Sequence, residues 1–226
     1  MEWLSKSGQD ARVSTEPTNF CRLYLFRHPE LSSEYEHRVV GDGPAELSRR
    51  GRAAVLGWLE RLKGVRVDAV YSSPQPQCLE PAQGIAKDHG LEMSGEPRLG
   101  DQAMGEWQGR EWDEIAQQDG ERVRAFFTEF GEVQPPGGES LGVAIERCVT
   151  WWTEQAPRLA GKTLVLVLPT GVLTGFAAAL LGMRLSRCFS LRLPAGGLGV
   201  LDVYDNAVHI AGWNVGGFVG VTADSE

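Results

Sequence analysis

Three short apolar runs organise the chain, and each ends on an abrupt change of chemistry. Arg22-Leu23-Tyr24-Leu25-Phe26 reads as a buried strand that stops at Arg27-His28-Pro29-Glu30, since a proline cannot continue a sheet ladder. Val67-Asp68-Ala69-Val70-Tyr71 reads as a second strand, stopping at Ser72-Ser73-Pro74, and Thr163-Leu164-Val165-Leu166-Val167-Leu168 as a third, stopping at Pro169-Thr170-Gly171. The third is the most apolar, as expected of a strand covered on both faces in a parallel sheet. Between these runs the spacing turns helical. Ala53, Leu56, Leu59 and Leu62 supply the expected stripe of a helix that Ser48 caps and Gly64 ends. A helix is expected over residues 77–87, with Pro81 in its first turn or kinking it, and a short edge strand over residues 91–94. Further helices are expected at residues 112–118, 121–130, 139–156 and 172–181, the third of these with Leu141, Ile145, Val149 and Trp152 on one face. Strands are expected at residues 190–193, 198–204 and 209–213.

Strands alternating with helices through right-handed crossovers define an α/β fold, a three-layer α/β/α sandwich with a mostly parallel central sheet. No repeat or linker divides the chain, so residues 21–226 read as one domain behind a flexible polar tail at residues 1–20. The loop over residues 29–46 is long for a connector and carries Glu34, His37, Arg38 and a Gly41-Asp42-Gly43-Pro44 turn, which points to function rather than linkage. Trp151-Trp152 reads as core packing, His89 as a helix-end residue and His209 as part of a terminal strand. Trp107 and Trp112 suit either packing or the mouth of a pocket.

Composition narrows the partners. Thirty acidic residues against 22 basic ones give a net charge of -8, which argues against nucleic acid or an anionic membrane and leaves room for a small anion in a local basic pocket. Cys21, Cys78, Cys148 and Cys188 show neither ligand spacing nor a disulfide framework, so a reduced, cytoplasmic location is expected, with no metal. The N-terminal segment lacks an apolar signal core, and the longest apolar run, residues 172–181, is interrupted by Thr174 and Gly175; neither export nor a membrane span is expected. Arg27-His28 is the candidate chemistry. An imidazole titrates near neutrality and serves as nucleophile or base, and the guanidinium beside it holds an anion.

The order and spacing of these marked loops resemble the histidine phosphatase superfamily, which includes phosphoglycerate mutase-like enzymes. Arg27-His28 is similar to the Arg-His-Gly motif, with Pro29 in place of glycine, and Arg38 stands where the substrate loop usually carries an arginine. Leu47-Ser48-Arg49-Arg50-Gly51 resembles the Leu-Thr/Ser-x-x-Gly helix start, residues 99–109 resemble the loop that carries the proton-donating glutamate, and Gly138-Glu139-Ser140 matches the segment before the long helix. The resemblance implies phosphomonoester hydrolysis through a phosphohistidine on His28, without metal or cofactor, on a small phosphorylated substrate; a homodimer is a possible assembly. Asp101 falls at the acid position, one methylene shorter than glutamate. Two further departures strike the ring of donors around the phosphate: Gln77 occupies the position of the second arginine, and Pro169 that of the second histidine. Leu31 and Glu34 replace a hydroxyl residue and an asparagine. Thr170, Gln77 and Arg38 are the expected substitutes for the lost donors. A degenerate pocket of this kind implies an impaired or altered phosphatase; the alternative is a pseudophosphatase that binds a ligand or protein without chemistry.

Overall fold

The computed structural model of the chain describes residues 20–129 and 131–214. Six strands, β1 (Cys21–Arg27), β2 (Ala69–Ser72), β3 (Met93–Gly95), β4 (Thr163–Leu168), β5 (Leu198–Val203) and β6 (Val208–Trp213), form one sheet in the order β3-β2-β4-β1-β5-β6. The first four are parallel, and β5 runs antiparallel to both β1 and β6. Five helices accompany them: α1 (Arg49–Leu62), α2 (Pro76–Asp88), α3 (Trp112–Thr128), α4 (Leu141–Leu159) and α5 (Thr170–Leu180). This is the mostly parallel three-layer arrangement that the alternating pattern requires.

The two cores are separated by the side-chain alternation of β4. Leu164, Leu166 and Leu168 face the layer of α4 and α5, together with Leu23, Leu25, Trp151 and Phe176. Val165 and Val167 face α1 and α2, with Phe26, Trp58 and Ile85. The five β4 side chains from Leu164 to Leu168 are fully buried, a gross stabilisation of roughly 10 kcal/mol at about 2 kcal/mol each. A slip of one residue would exchange leucines for valines in both layers, so packing fixes the register. That register sets the site: Arg27 lies opposite Leu168 and Ser72 opposite Val167, which brings three strand ends together.

Several local expectations are corrected. On α1 the buried residues are Gly51, Trp58 and Leu62, while Ala53 is exposed and Leu56 is 67% exposed. Trp58 is the reason: its ring packs on Phe26 at 4.5 Å between centroids and its Nε1 donates to Gly196 O at 2.9 Å, which rotates the helix away from the aliphatic stripe. Ser48 does cap the helix, accepting from Gly51 N at 2.8 Å, and Gly51 itself lies against the Glu30 carbonyl, where a Cβ has no room. In α2, Pro81 sits in the second turn and the helix continues past it to Asp88. The two helices expected over residues 112–130 are one element broken at Asp119, whose φ of -141° and ψ of 52° are not helical; Phe130 lies outside the described residues. The strand expected at residues 190–193 is absent, because the chain coils as a 3-10 turn over Leu185–Leu191 before Pro194 and the left-handed Gly196. Trp151 and Trp152 are core, His89 ends α2, and His209 lies on β6. Trp107 is buried in a small aromatic cluster with Trp112 and Phe126.

The four cysteines are free and buried, and burial raises every one of their thiol pKa values, those of Cys21 and Cys148 to about 12. No single helix among the described residues is long and apolar enough to cross a membrane.

Candidate active site

His28 follows the last residue of β1, and only 8% of its surface is exposed. Its backbone N–H donates to Leu168 O at 3.1 Å, extending the β1–β4 ladder by one bond. Its Nδ1 lies 2.8 Å from Pro29 O. A carbonyl only accepts, so Nδ1 carries the proton and Nε2 carries the free lone pair. Burial, opposed by that hydrogen bond and assisted by the positive charge of Arg27, lowers the imidazole pKa to about 4. A neutral ring with a fixed tautomer is the form a nucleophile needs.

Asp101 is brought to the same end of the sheet by the loop after β3. Gly171, in the first turn of α5, would place a Cβ 3.9 Å from its Oδ1. Burial lifts its carboxyl pKa to about 7, against the hydrogen bond from Gln102 N and the charge of Arg147, with Asp42 and Glu139 adding to the rise. The carboxyl is therefore half protonated at neutrality, the condition of a general acid. Its loop is held from α4. Arg147 donates to Asp101 O at 2.7 Å and to Glu139 Oε1 at 2.9 Å, and Glu139 accepts from Ala103 N at 3.0 Å. The Gly138-Glu139-Ser140 segment thus has a double use: Ser140 caps α4 by accepting from Val143 N at 3.3 Å, and Glu139 anchors the acid loop.

The expected substitute donors are placed differently. Gln77 is 1% exposed; its Oε1 accepts from Ala45 N at 3.0 Å and its Nε2 donates to Gly43 O at 3.3 Å, so it pins the 43–45 loop instead of facing a ligand. Arg38 is held by Gly109 O at 3.0 Å and Glu111 at 2.8 Å, where residues 38 and 111 form a bridge between two loops. Pro169 is the N-cap of α5 and directly follows Leu168, whose carbonyl accepts from His28 N, and Thr170 opens that helix. Arg27 donates through Nη1 to Leu193 O at 2.7 Å, while its buried Nε has no partner. Sequence reasoning missed Gln75. Its Oε1 accepts from Asp101 N at 3.3 Å and from Ser73 Oγ, and its Nε2 donates to Asp42 O at 3.2 Å, so it ties three loops of the pocket together. Nothing in its spacing distinguished it from Gln77. Among the described residues no three His, Cys, Asp or Glu side chains gather as a metal ion would require.

A mostly parallel sheet with a buried histidine at the end of its first strand, and a carboxyl of raised pKa at the same end beside the first turn of α5, defines the class to compare with. The chain belongs to the histidine phosphatase superfamily: the profile of its branch 1 matches residues 23–216. Phosphoglycerate mutase-like protein 4 of Arabidopsis thaliana is 30% identical over 168 residues, 73% of either chain. Phosphoserine phosphatase 1 of Hydrogenobacter thermophilus is 30% identical over 169 residues, 75% of this chain and 80% of its own. Among solved structures, YhfR of Bacillus stearothermophilus superimposes with a TM-score of 0.77 at 26% identity, covering 84% of this chain and 95% of that one. Phosphoric monoester hydrolase is the enzyme class that the phosphatases among these relatives represent.

Proposed function

We propose that the chain hydrolyses small phosphomonoesters through a phosphohistidine on His28, in a pocket altered from the family pattern. The observation that carries this reading is the Nδ1–Pro29 contact, which leaves Nε2 of a neutral imidazole free beside Arg27. Nε2 attacks phosphorus as the bond to the leaving oxygen breaks, and the Asp101 carboxyl gives that oxygen its proton. The Asp101 carboxylate then takes a proton from water, the resulting hydroxide breaks the P–N bond, and phosphate leaves with both groups restored. Rate in such a reaction comes from positioning and from donors around the phosphoryl oxygens. Losing one such donor costs about 10²–10³-fold, so the two lost at Gln77 and Pro169 imply turnover on the order of 10⁴–10⁶ below an intact site, still far above the uncatalysed reaction.

The test is intact-mass detection of a phosphoryl adduct after acid-free quench with 4-nitrophenyl phosphate, localised to His28 and absent from His28→Ala. Hydrolysis that persists in His28→Ala would remove His28 from the mechanism. The pH profile gives a second check. With an alkyl phosphate as substrate, His28 must be deprotonated and Asp101 protonated for the first step, so kcat/KM should rise through about pH 4 and fall through about pH 7, after allowance for the substrate's own second ionisation near pH 6. A profile still rising above pH 8 would exclude Asp101 as the acid.

A second reading, a pseudophosphatase that only binds, is favoured by the engagement of Gln77 with Ala45 and Gly43. It forecasts tight phosphate binding with no adduct on His28.

A further inference from the structure

The segment before β5 closes over the end of β1. Arg27 N donates to Gly197 O at 3.0 Å, Gly196 N donates to His28 O at 3.1 Å, and the Arg27 guanidinium reaches Leu193 O. Leu191 and Leu193 are buried, and Arg192 between them is exposed on an extended backbone. Arg192 is one residue from the carbonyl that holds Arg27, so its charge falls in the same corner. The arginines Arg38, Arg52, Arg110 and Arg147 are each held by a carboxylate. No ion pair or side-chain hydrogen bond joins Arg192 to another described residue. After burial, the Arg192 charge is the largest influence lowering the Arg27 pKa. Two like charges are thus kept close, with no carboxylate in an ion pair with either, the Asp101 charge only partly opposing the effect of Arg192 on Arg27, and with a buried, unpartnered Nε on Arg27. Such a pair is stabilised when an anion sits between the two.

We propose that Arg192 is the second cationic phosphate ligand of the His28 site, reaching the phosphoryl group from the segment before β5 and supplying the charge absent at Gln77 and Pro169. The inference rests on the phosphatase reading for its substrate, and on the arrangement around Arg27 for its place. A phosphomonoester carries nearly two negative charges at neutrality, and Arg27 with Arg192 match them. Residue 192 lies in a stretch whose composition reads as a strand, which hides its side chain from any motif.

The experiment measures two quantities on the full chain: dissociation of inorganic phosphate by calorimetry, and kcat/KM for 4-nitrophenyl phosphate. Arg192→Ala should weaken phosphate binding by about 10- to 100-fold, the range of a charge-assisted contact, and lower kcat/KM at least as much. Arg192→Lys should restore part of both, which a merely structural role would not do. Arg187→Ala, on the exposed side of the same 3-10 turn, should change neither. Unaltered phosphate binding in Arg192→Ala, with an active wild type, overturns this inference and leaves the phosphatase reading intact. Phosphate binding that is lost in Arg192→Ala, without any adduct on His28 of the wild type, supports the inference and overturns the phosphatase reading. A wild type that does not bind phosphate overturns the inference.

Discussion

Replacing Pro169 by histidine is expected to raise kcat/KM for 4-nitrophenyl phosphate by about 10²–10³-fold, the worth of one preorganised donor. The position is suitable because it directly follows Leu168, whose carbonyl accepts from His28 N, and because its φ of -72° and ψ of 163° are ordinary extended values open to any residue. An imidazole there needs no change of backbone, and it adds a donor at the mouth of α5 where proline has none. Gln77→Arg should behave in the opposite way. The Gln77 amide is buried and satisfies Ala45 N and Gly43 O, so arginine leaves Ala45 N unpaired at a cost of about 1–3 kcal/mol and gains little rate. Steady-state kinetics and thermal melts on both variants separate the two effects. A Pro169→His protein that binds phosphate more tightly but turns over no faster would favour the pseudophosphatase reading.

Asp101→Asn should affect activity and stability in opposite directions. For an alkyl phosphate, whose alkoxide needs a proton, kcat should fall by about 10²–10⁴-fold; for 4-nitrophenyl phosphate, whose phenolate leaves unassisted, formation of the phosphohistidine should hardly change while its hydrolysis, which uses the Asp101 carboxylate as base, slows, so the adduct on His28 should accumulate. Stability should rise. The Asp101 pKa goes from an ordinary 3.8 to about 7 on folding, so the native carboxyl holds its proton where the unfolded one has lost it. Stability is therefore full below the lower value and lost as pH rises towards the upper, by on the order of 4 kcal/mol at most. Asparagine removes that loss, so the variant should gain stability over wild type at pH 8 and none at pH 4. His28 acts in the reverse sense, since its pKa falls on folding to about 4: between that value and its ordinary 6.5 the native state gains stability as pH rises, offsetting part of the Asp101 effect in the wild type. Equal melting temperatures for variant and wild type at pH 8 would show that Asp101 is not desolvated.

The parts of the molecule that a single sequence discloses are those fixed by local chemistry. β4 is bounded by its own apolar run, Ser48 and Ser140 cap the helices they precede, and the ends of β1 and β4 fall together because the strands are parallel and in register. What stayed hidden depends on contacts distant in the chain. The orientation of α1 is decided by Trp58 finding Gly196, 138 residues away. Arg38 and Gln77 look like free donors until Glu111 and the 43–45 loop are seen to hold them. Gln75 and Gln77 are chemically identical, and only the start of α2 at Pro76 decides which one reaches Asp101.

The burial of the cysteines has a practical consequence. Thiol reagents attack the thiolate, and with the pKa values of all four raised by burial, two of them to about 12, almost none is present while the fold is closed. The catalytic cycle proposed here uses no sulfur, so oxidants reach it only by opening the protein, and the rate at which these thiols become labelled is a clock for that opening.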